Sequence, residues 1–444
     1  MSEAIPDFSI QSLGEPHIPS PIPLSNREND GYANFVRDDQ RVAYNIETSV
    51  DAADQPVASM GLLEKAGPRE YLFFEPSKVH AGIVTCGGLC PGLNNVIRAA
   101  VMTLWHRYGV RRISGIRYGF RGLLPDDGVS IQSLTPDLVS DIHRSGGTIL
   151  GSSRGGGERT GELVDALEQL NLNVLLTVGG DGTQRAALKM AQEIERRGLP
   201  ISVVGIPKTI DNDLSFVERS FGFETAVSQA VRAVDSAHTE ARGAIDGVGI
   251  VKVMGRESGF IAAHTALATN DANFVLVPEV PFDLEGPNGL LAHLEERLAA
   301  RHHAVVLVAE GAGQHMVEGN GHDASGNRKL GDIGVYLSRR IADHFAGQRH
   351  EITLKYIDPS YIIRAAPANP ADAIYCARLG SNAVHAAMAG RTACLVGALN
   401  HRLVHVPIEL ATRHRNRVKP ESPLWRDVLE TTGQGHMVNP PNQL

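Results

Sequence analysis

Cysteine is scarce in this chain, with four in 444 residues: Cys86, Cys90, Cys376 and Cys394. So few thiols, so scattered, exclude a disulfide framework and fit a reducing compartment. No apolar run approaches the roughly 20 residues needed to span a bilayer, so no membrane segment is expected. Basic charge shows no excess: Lys+Arg 42 against Asp+Glu 50 leaves a formal net charge of −8, with the signs interspersed. That balance argues against a nucleic-acid surface or a polybasic membrane contact. The first residues carry Glu3 and Asp7 and no apolar h-region, which speaks against a secretory or transit peptide and for a cytoplasmic protein. Neither a fixed-period repeat nor a low-complexity tract is present.

What is present from Val79 onward is alternation of apolar strands and amphipathic helices. Strands are expected at 80–84, 112–116, 174–178 and 201–206, with helices near 93–107, 135–144, 161–170 and 183–197 between them. A second series follows Pro207: a helix near 223–241, strands at 248–253, 274–277 and 304–308, and helices near 258–269, 288–300 and 334–346. A long helix near 370–389 and two short strands, 392–397 and 403–407, return toward the first series. The expected architecture is α/β: two Rossmann-like three-layer domains with parallel-rich sheets and a cleft between them. The divisions are an N-terminal extension over 1–75, a first domain over 76–220 completed by about 368–410, a second domain over 221–367, and a polar tail over 411–444. The run Pro16-His17-Ile18-Pro19-Ser20-Pro21-Ile22-Pro23 cannot be a helix or a central strand, so the extension reads as an extended arm with a strand near Tyr71–Phe74.

Five stretches carry chemistry. The strongest is Val174-Leu175-Leu176-Thr177-Val178-Gly179-Gly180-Asp181-Gly182-Thr183, where a buried strand breaks into glycines and one carboxylate before a helix. Small residues let backbone amides approach a polyphosphate, the helix N-terminus favours anions, and Asp181 can hold the accompanying Mg²⁺. A second glycine loop, Cys86-Gly87-Gly88-Leu89-Cys90-Pro91-Gly92, also follows a strand; it matches neither a dinucleotide fingerprint nor a Walker loop. Third, Pro207-Lys208-Thr209-Ile210-Asp211-Asn212-Asp213 places an ammonium, a hydroxyl and two carboxylates at a strand end. Such a group suits proton abstraction from an alcohol beside a metal-bound phosphate. Fourth come Met254-Gly255-Arg256 and Glu310, each at the end of a strand, with the guanidinium fitted to a phosphoryl group. Fifth, Lys355-Tyr356-Ile357-Asp358-Pro359-Ser360-Tyr361-Ile362-Ile363-Arg364 combines cations and phenols suited to a phosphate end.

Other patterns read as structural. Gly151-Ser152-Ser153-Arg154-Gly155 fits a hydrolase nucleophile elbow, but more glycine follows it instead of a helix. Cys86 with Cys90 lacks a second pair at ligand spacing. His238, His264, His302 and His303 read as structural histidines, and Gly319–Asn327 as a solvated loop.

Taken in this order, GGDGT, PKTIDND, MGR and a late YIIR resemble the phosphofructokinase family from about Val79 to Pro407, above all its longer plant, trypanosome and bacterial forms. The resemblance implies transfer of the γ-phosphoryl of Mg-ATP to the 1-hydroxyl of fructose 6-phosphate. Carried over by position, Gly88, Arg154, Gly155 and Gly180, Asp181, Gly182 and Thr183 would hold the nucleotide, with Asp181 on Mg²⁺. Asp211 would take the sugar proton, and Lys208, Thr209, Ile210 and Asp213 would position the reacting groups. Met254, Gly255, Arg256 and Glu310 would contact the sugar phosphate, Arg256 also stabilising transferred charge, and Lys355, Tyr361 and Arg364 would bind its 6-phosphate. Self-association into a dimer or tetramer is expected.

Pyrophosphate-using members of the family look like GGDD at the glycine loop, where the second carboxylate repels the α-phosphate region of ATP; Gly182 here leaves room, so ATP is the expected donor. Lys208 is the feature shared with pyrophosphate users, and a pyrophosphate-dependent transferase is the alternative; a non-catalytic sugar-phosphate sensor is the remote one. Short bacterial members also carry an arginine that reaches across a subunit boundary where Gly247 stands, and an effector-site arginine where Met102 stands. Regulation of that bacterial kind by ADP or phosphoenolpyruvate is therefore not expected.

Overall fold

The structure, a computed structural model, describes residues 6–47, 61–128, 130–319, 321 and 329–440. The start at residues 1–5 and the expected loop at 319–327, apart from Gly319 and Gly321, lie outside the described residues. The chain forms two compact units. The first comprises Met1–Thr209, Leu214–Gly222 and Ala366–Arg415, and the second Ile210–Asp213, Phe223–Ala365 and Asn416–Leu444. The backbone thus passes from one unit to the other five times, after Thr209, Asp213, Gly222, Ala365 and Arg415.

The first unit holds a seven-stranded mixed sheet. Its strands are β1 (His80–Thr85), β2 (Arg112–Ile116), β3 (Ile131–Ser133), β4 (Val174–Gly179), β5 (Ser202–Pro207), and, late in the chain, Cys394–Leu399 and Arg402–Pro407. The centre, in the order β5, β4, β1, β2, is parallel. Val174–Gly179 and Ser202–Pro207 are buried at every position, which is why they read as unbroken apolar runs. The edges are antiparallel: β3 returns against β2, and Arg402–Pro407 against Cys394–Leu399. The extension packs on this unit. Gln11–Ser12 pairs with Arg391–Thr392, Ile18–Pro19 with Tyr71–Leu72, and Phe8 joins the core. Its inner anchor is Glu64, a buried carboxylate that accepts from Arg69 (2.8 Å) and Arg391 (2.9 Å), with the His405 ring at 3.1 Å.

The second unit is built on four parallel strands: β6 (Gly247–Val253), β7 (Phe274–Leu276), β8 (His303–Ala309) and β9 (Thr353–Ile357), in the order β7, β8, β6, β9. Alternate residues of β8 serve opposite faces. Val305, Leu307 and Ala309 pack with Phe223, Ala230, Phe260 and Trp425, while Ala304, Val306 and Val308 pack with Leu294, Leu298, Leu337 and Phe345. Period-two alternation with both faces apolar makes three layers, helix on sheet on helix.

Four local expectations differ from the structure. The helix near 135–144 is two separate turns, Pro136–Val139 and Ile142–Arg144, interrupted at Ser140-Asp141. The helix near 93–107 is α-helical only to Met102 and continues as a wider turn over Thr103–Arg107. The strand expected over 392–397 is broken by Ala393 at φ 52°, into Arg391–Thr392 and Cys394–Leu399. The polar tail carries a helix, Pro423–Thr432, started by a proline at its first turn and anchored by buried Trp425 and Val428.

Candidate functional site

In the first unit the polar loops lie at the carboxyl ends of neighbouring strands, the usual ligand edge of an open α/β sheet. Strand β5 ends with Pro207 opposite Gly179 of β4, and Val178 of β4 stands opposite Thr85 of β1. The three loops are tied by hydrogen bonds. Lys208 N–H donates to Gly179 O (3.0 Å), its buried ammonium donates to Gly88 O (2.8 Å), and Ser152 Oγ donates to Gly87 O (2.6 Å). Gln184, fully buried, donates to Gly179 O at 3.0 Å and holds the turn from behind.

Three of the glycines face open space. A Cβ added at Gly88, Gly155 or Gly182 would meet nothing within 4 Å, whereas one at Gly179 would strike Thr183 Oγ1 at 2.3 Å. Packing therefore requires glycine at 179 but leaves 88, 155 and 182 for a ligand. Gly155 also has φ 84°, the left-handed region. Arg154 and Gly155 are exposed, on the loop that Ser152 ties to Gly87. Gly180 caps the helix Asp181–Arg196, which puts Asp181 and Thr183 in its first turn. Asp181 pairs with Arg185 and lies 3.7 Å from Arg415. One carboxylate at a helix N-terminus beside open glycines is the donor set that Mg²⁺ uses when phosphates supply the remaining ligands. Thr209 ends the first segment of this unit, its carbonyl accepting from Ser220.

The second unit repeats the principle. Val253 ends β6 opposite Ala309 of β8, so Met254-Gly255-Arg256 and Glu310 emerge side by side. Glu310 N–H donates to Val253 O (2.9 Å) and Gly311 N–H to Gly255 O (3.1 Å). Gly255 needs to be glycine: its φ is 127°, and a Cβ would lie 2.4 Å from Ser258 O. Ile210, Asp211 and Asp213 join this group through a tight turn at Asn212, which is buried with φ 55°. Ser258 Oγ donates to Asp211 O (2.9 Å).

Asp211 is the electrostatic centre of this cluster. Burial pushes its carboxyl up to about 7, the neighbouring Asp213 and Glu310 carboxylates push the same way, and Arg364 and the Arg256 backbone N–H oppose them. Arg364 is held by Nε at 3.2 Å from Met254 Sδ. It belongs to the short helix Ser360–Ala365, which also presents Tyr361, 83% exposed. Lys355 stands earlier in β9, opposite Gly249, about 13 Å of strand before Val253 at 3.3 Å per residue. Among the described residues no contact joins it to Asp211. Asp213→Asn removes one of the charges that raise Asp211, so the acid limb of a kcat/KM profile is expected to move to lower pH. A pH–rate profile in which that limb stays put contradicts this.

Several residues near these clusters were not singled out from the sequence. Gln184 and Arg185 follow the glycine loop, and the segment after Arg415 is fastened residue by residue. Asn416 N–H donates to Asp213 O (2.8 Å), Arg417 pairs with Glu257 (2.9 Å), and Val418 N–H donates to Glu279 Oε1 (2.8 Å), which also accepts from Gly259 N–H (2.9 Å). A polar, proline-containing tail gives no periodicity from which this could be read.

Cys86 and Cys90 are buried, and burial drives the Cys86 thiol up to about 12. His302 pairs with Asp246 (2.9 Å) and His264 Nδ1 with Phe260 O (2.9 Å), and no cluster of three metal-ligating side chains occurs among the described residues. Gly247 begins β6 with a would-be Cβ 2.1 Å from Ala241 O, so no arginine fits there. No helix among the described residues is long and apolar enough to cross a membrane.

The fold and these strand-end loops define an open α/β protein with two clusters of polar side chains. The phosphofructokinase family model matches residues 80–387, and the chain belongs to that family. It is 53% identical over 436 residues to the ATP-dependent 6-phosphofructokinase of Borreliella burgdorferi, covering 96% of this chain and 97% of that protein. It is 48% identical to the enzyme of the same name from Amycolatopsis methanolica, covering 98% and 96% respectively. The crystal structure of a pyrophosphate-dependent phosphofructokinase from Marinobacter aquaeolei matches with a TM-score of 0.66 at 21% identity, over 82% of this chain and 94% of that one. At that identity the likeness shows the fold alone.

Proposed function

We propose that this protein is an ATP-dependent 6-phosphofructokinase, which transfers the γ-phosphoryl of ATP to the 1-hydroxyl of fructose 6-phosphate. The observation that carries the chemistry is Asp211, a carboxyl raised to about 7. A base of that strength accepts a hydroxyl proton near neutral pH. Arg256 balances charge on the phosphoryl group in transit, and Arg364, whose guanidinium also acts on Asp211, does so on the sugar's 6-phosphate together with Tyr361 and Lys355. Met254, Gly255 and Glu310 border the sugar, and Asp213 keeps Asp211 basic.

In the first unit Gly88, Arg154, Gly155, Gly180, Gly182 and Thr183 take the nucleotide, with backbone amides toward the phosphates and no side chain in the way. Asp181, with the phosphates, would hold Mg²⁺, which would supply charge neutralisation for the transferring group. Lys208 and Thr209 fix the turn that leads into Ile210 and Asp211. Rate enhancement on this reading comes from positioning and charge stabilisation.

Lys208 is the one residue that speaks for pyrophosphate, yet its ammonium is engaged by Gly88 O, while Gly182 leaves the space that a nucleotide needs. An aldolase-coupled assay with ATP and pyrophosphate side by side is the test. Turnover with ATP is expected; turnover with pyrophosphate alone overturns the donor, and none with either overturns the kinase. We also propose a cytoplasmic location, in keeping with four buried free thiols, and assembly into a dimer or tetramer.

A further inference from the structure

A single ammonium links the end of β6 to the short helix that carries Tyr361 and Arg364. Lys252 stands on β6 two residues before Met254, on the face that bears Val248 and Ile250. Its side chain is only 12% exposed, and Nζ donates to Asp332 Oδ2 and to Asp358 Oδ2, each at 3.0 Å. The Tyr356 hydroxyl completes the group, donating to Asp332 Oδ1 (3.2 Å). Burial works against the lysine charge, but Asp358, Asp332 and Tyr356 outweigh it and hold the ammonium above the ordinary lysine value. Lys252 is therefore a fixed cation and not a proton donor.

The two acids serve different helices. Asp332 caps Ile333–Gly347, accepting from Val335 N–H (3.2 Å). Asp358 turns its other oxygen to the start of Ser360–Ala365, where Oδ1 accepts from Ser360 N–H (3.0 Å) and Ser360 Oγ (2.5 Å). That helix has six residues, far below the roughly 12–15 that hold together alone in water, so its contacts decide where it lies. Ile363 is buried in the core and Arg364 touches Met254 Sδ, a weak acceptor. Both lie toward the far end of the helix, whereas Tyr361 stands at its start. The start is held by Asp358, and Asp358 by the strand whose end carries Met254-Gly255-Arg256.

We propose that Lys252 is a positioning residue for sugar-phosphate binding, setting through Asp358 where Tyr361 and Arg364 meet the phosphate. This rests on the reading of the second-unit cluster as the fructose 6-phosphate site.

The test is steady-state kinetics of the full chain, with fructose 6-phosphate and ATP varied in turn and a thermal melt of each variant. Lys252→Met and Asp358→Asn are each expected to raise KM for fructose 6-phosphate about tenfold, with KM for ATP unchanged and kcat within about threefold of wild type. Asparagine at 358 can still accept from Ser360, so it removes the link to Lys252 and not the cap, and it serves if Lys252→Met does not fold. Lys252→Arg, which keeps a cation in reach of Asp358, is expected to recover most of the loss. The Lys252→Met/Asp358→Asn double variant is expected to match the single ones, because both break one link. Asp332→Asn is expected to leave this KM unchanged whatever it does to the melt. An unchanged KM in Lys252→Met and Asp358→Asn overturns the proposal, as does an equal rise in Asp332→Asn or effects that multiply in the double variant. A wild type with no turnover of fructose 6-phosphate overturns the functional reading itself, a result distinct from normal wild-type turnover with indifferent variants.

Discussion

Replacing Asp211 with asparagine is expected to remove nearly all phosphoryl transfer while making the folded protein harder to melt at pH 8. Loss of a positioned general base lowers kcat by on the order of 10²–10⁴. The amide keeps the shape of the carboxyl, so binding of Mg-nucleotide persists. The stability gain follows from the sign of the shift. The Asp211 carboxyl is raised from 3.8 to about 7 in the folded chain, so between those values the folded state holds a proton that the unfolded state has released. Stability therefore falls as pH rises through that window, and the cost is complete above it. Asparagine cannot ionise and escapes this cost, on the order of 2–4 kcal/mol at pH 8 and close to nothing at pH 4. Thermal melts at the two pH values, beside a steady-state assay, measure both halves. Near-normal turnover removes Asp211 as the base, and an equal gain at both pH values removes the electrostatic account of its environment.

Gly182→Asp is expected to leave the fold intact and to damage ATP use severely. Nothing within 4 Å opposes a side chain at this position, so the protein itself gives no reason for glycine. The new carboxylate stands next to Asp181 and, on the proposed reading, faces the phosphates, where two negative groups a few ångströms apart repel by several kcal/mol at the dielectric typical of protein surfaces. A fall in kcat/KM for ATP of on the order of 10²-fold or more is expected. Gly182→Ala adds bulk without charge and separates the steric part from the electrostatic one. Unchanged ATP kinetics in the aspartate variant undo the argument that this glycine selects the donor.

Much of this was legible in advance because buried parallel strands write themselves as unbroken apolar runs. Val174–Val178 and Val203–Ile206 could hardly be anything else, and the polar residues that end such runs fall at the ligand edge by topology. Strand β9 escaped for the opposite reason: half-buried, with Lys355 and Tyr356 in the middle, it looks like a recognition loop. The helix at Pro423–Thr432 escaped because it is short and only Trp425 and Val428 are fully buried, with Leu424 and Leu429 half-buried beside them. Arg415, Asn416 and Glu279 could not have been found from sequence at all. Each acts through a neighbour distant in sequence, 234 positions for Arg415 and Asp181 (415 − 181), and nothing local marks an arginine that will lie beside a given aspartate.

The five backbone passages between the two units have a consequence for anyone hoping to study one half alone. Neither unit can be excised as a single fragment of the gene, since each is assembled from three separate segments and the four residues Ile210–Asp213 belong to one unit while their flanks belong to the other. A C-terminal truncation that passes Arg415 strips both halves at once, and a graft of one half from a relative must splice at several junctions, two of them bracketing the proposed base itself.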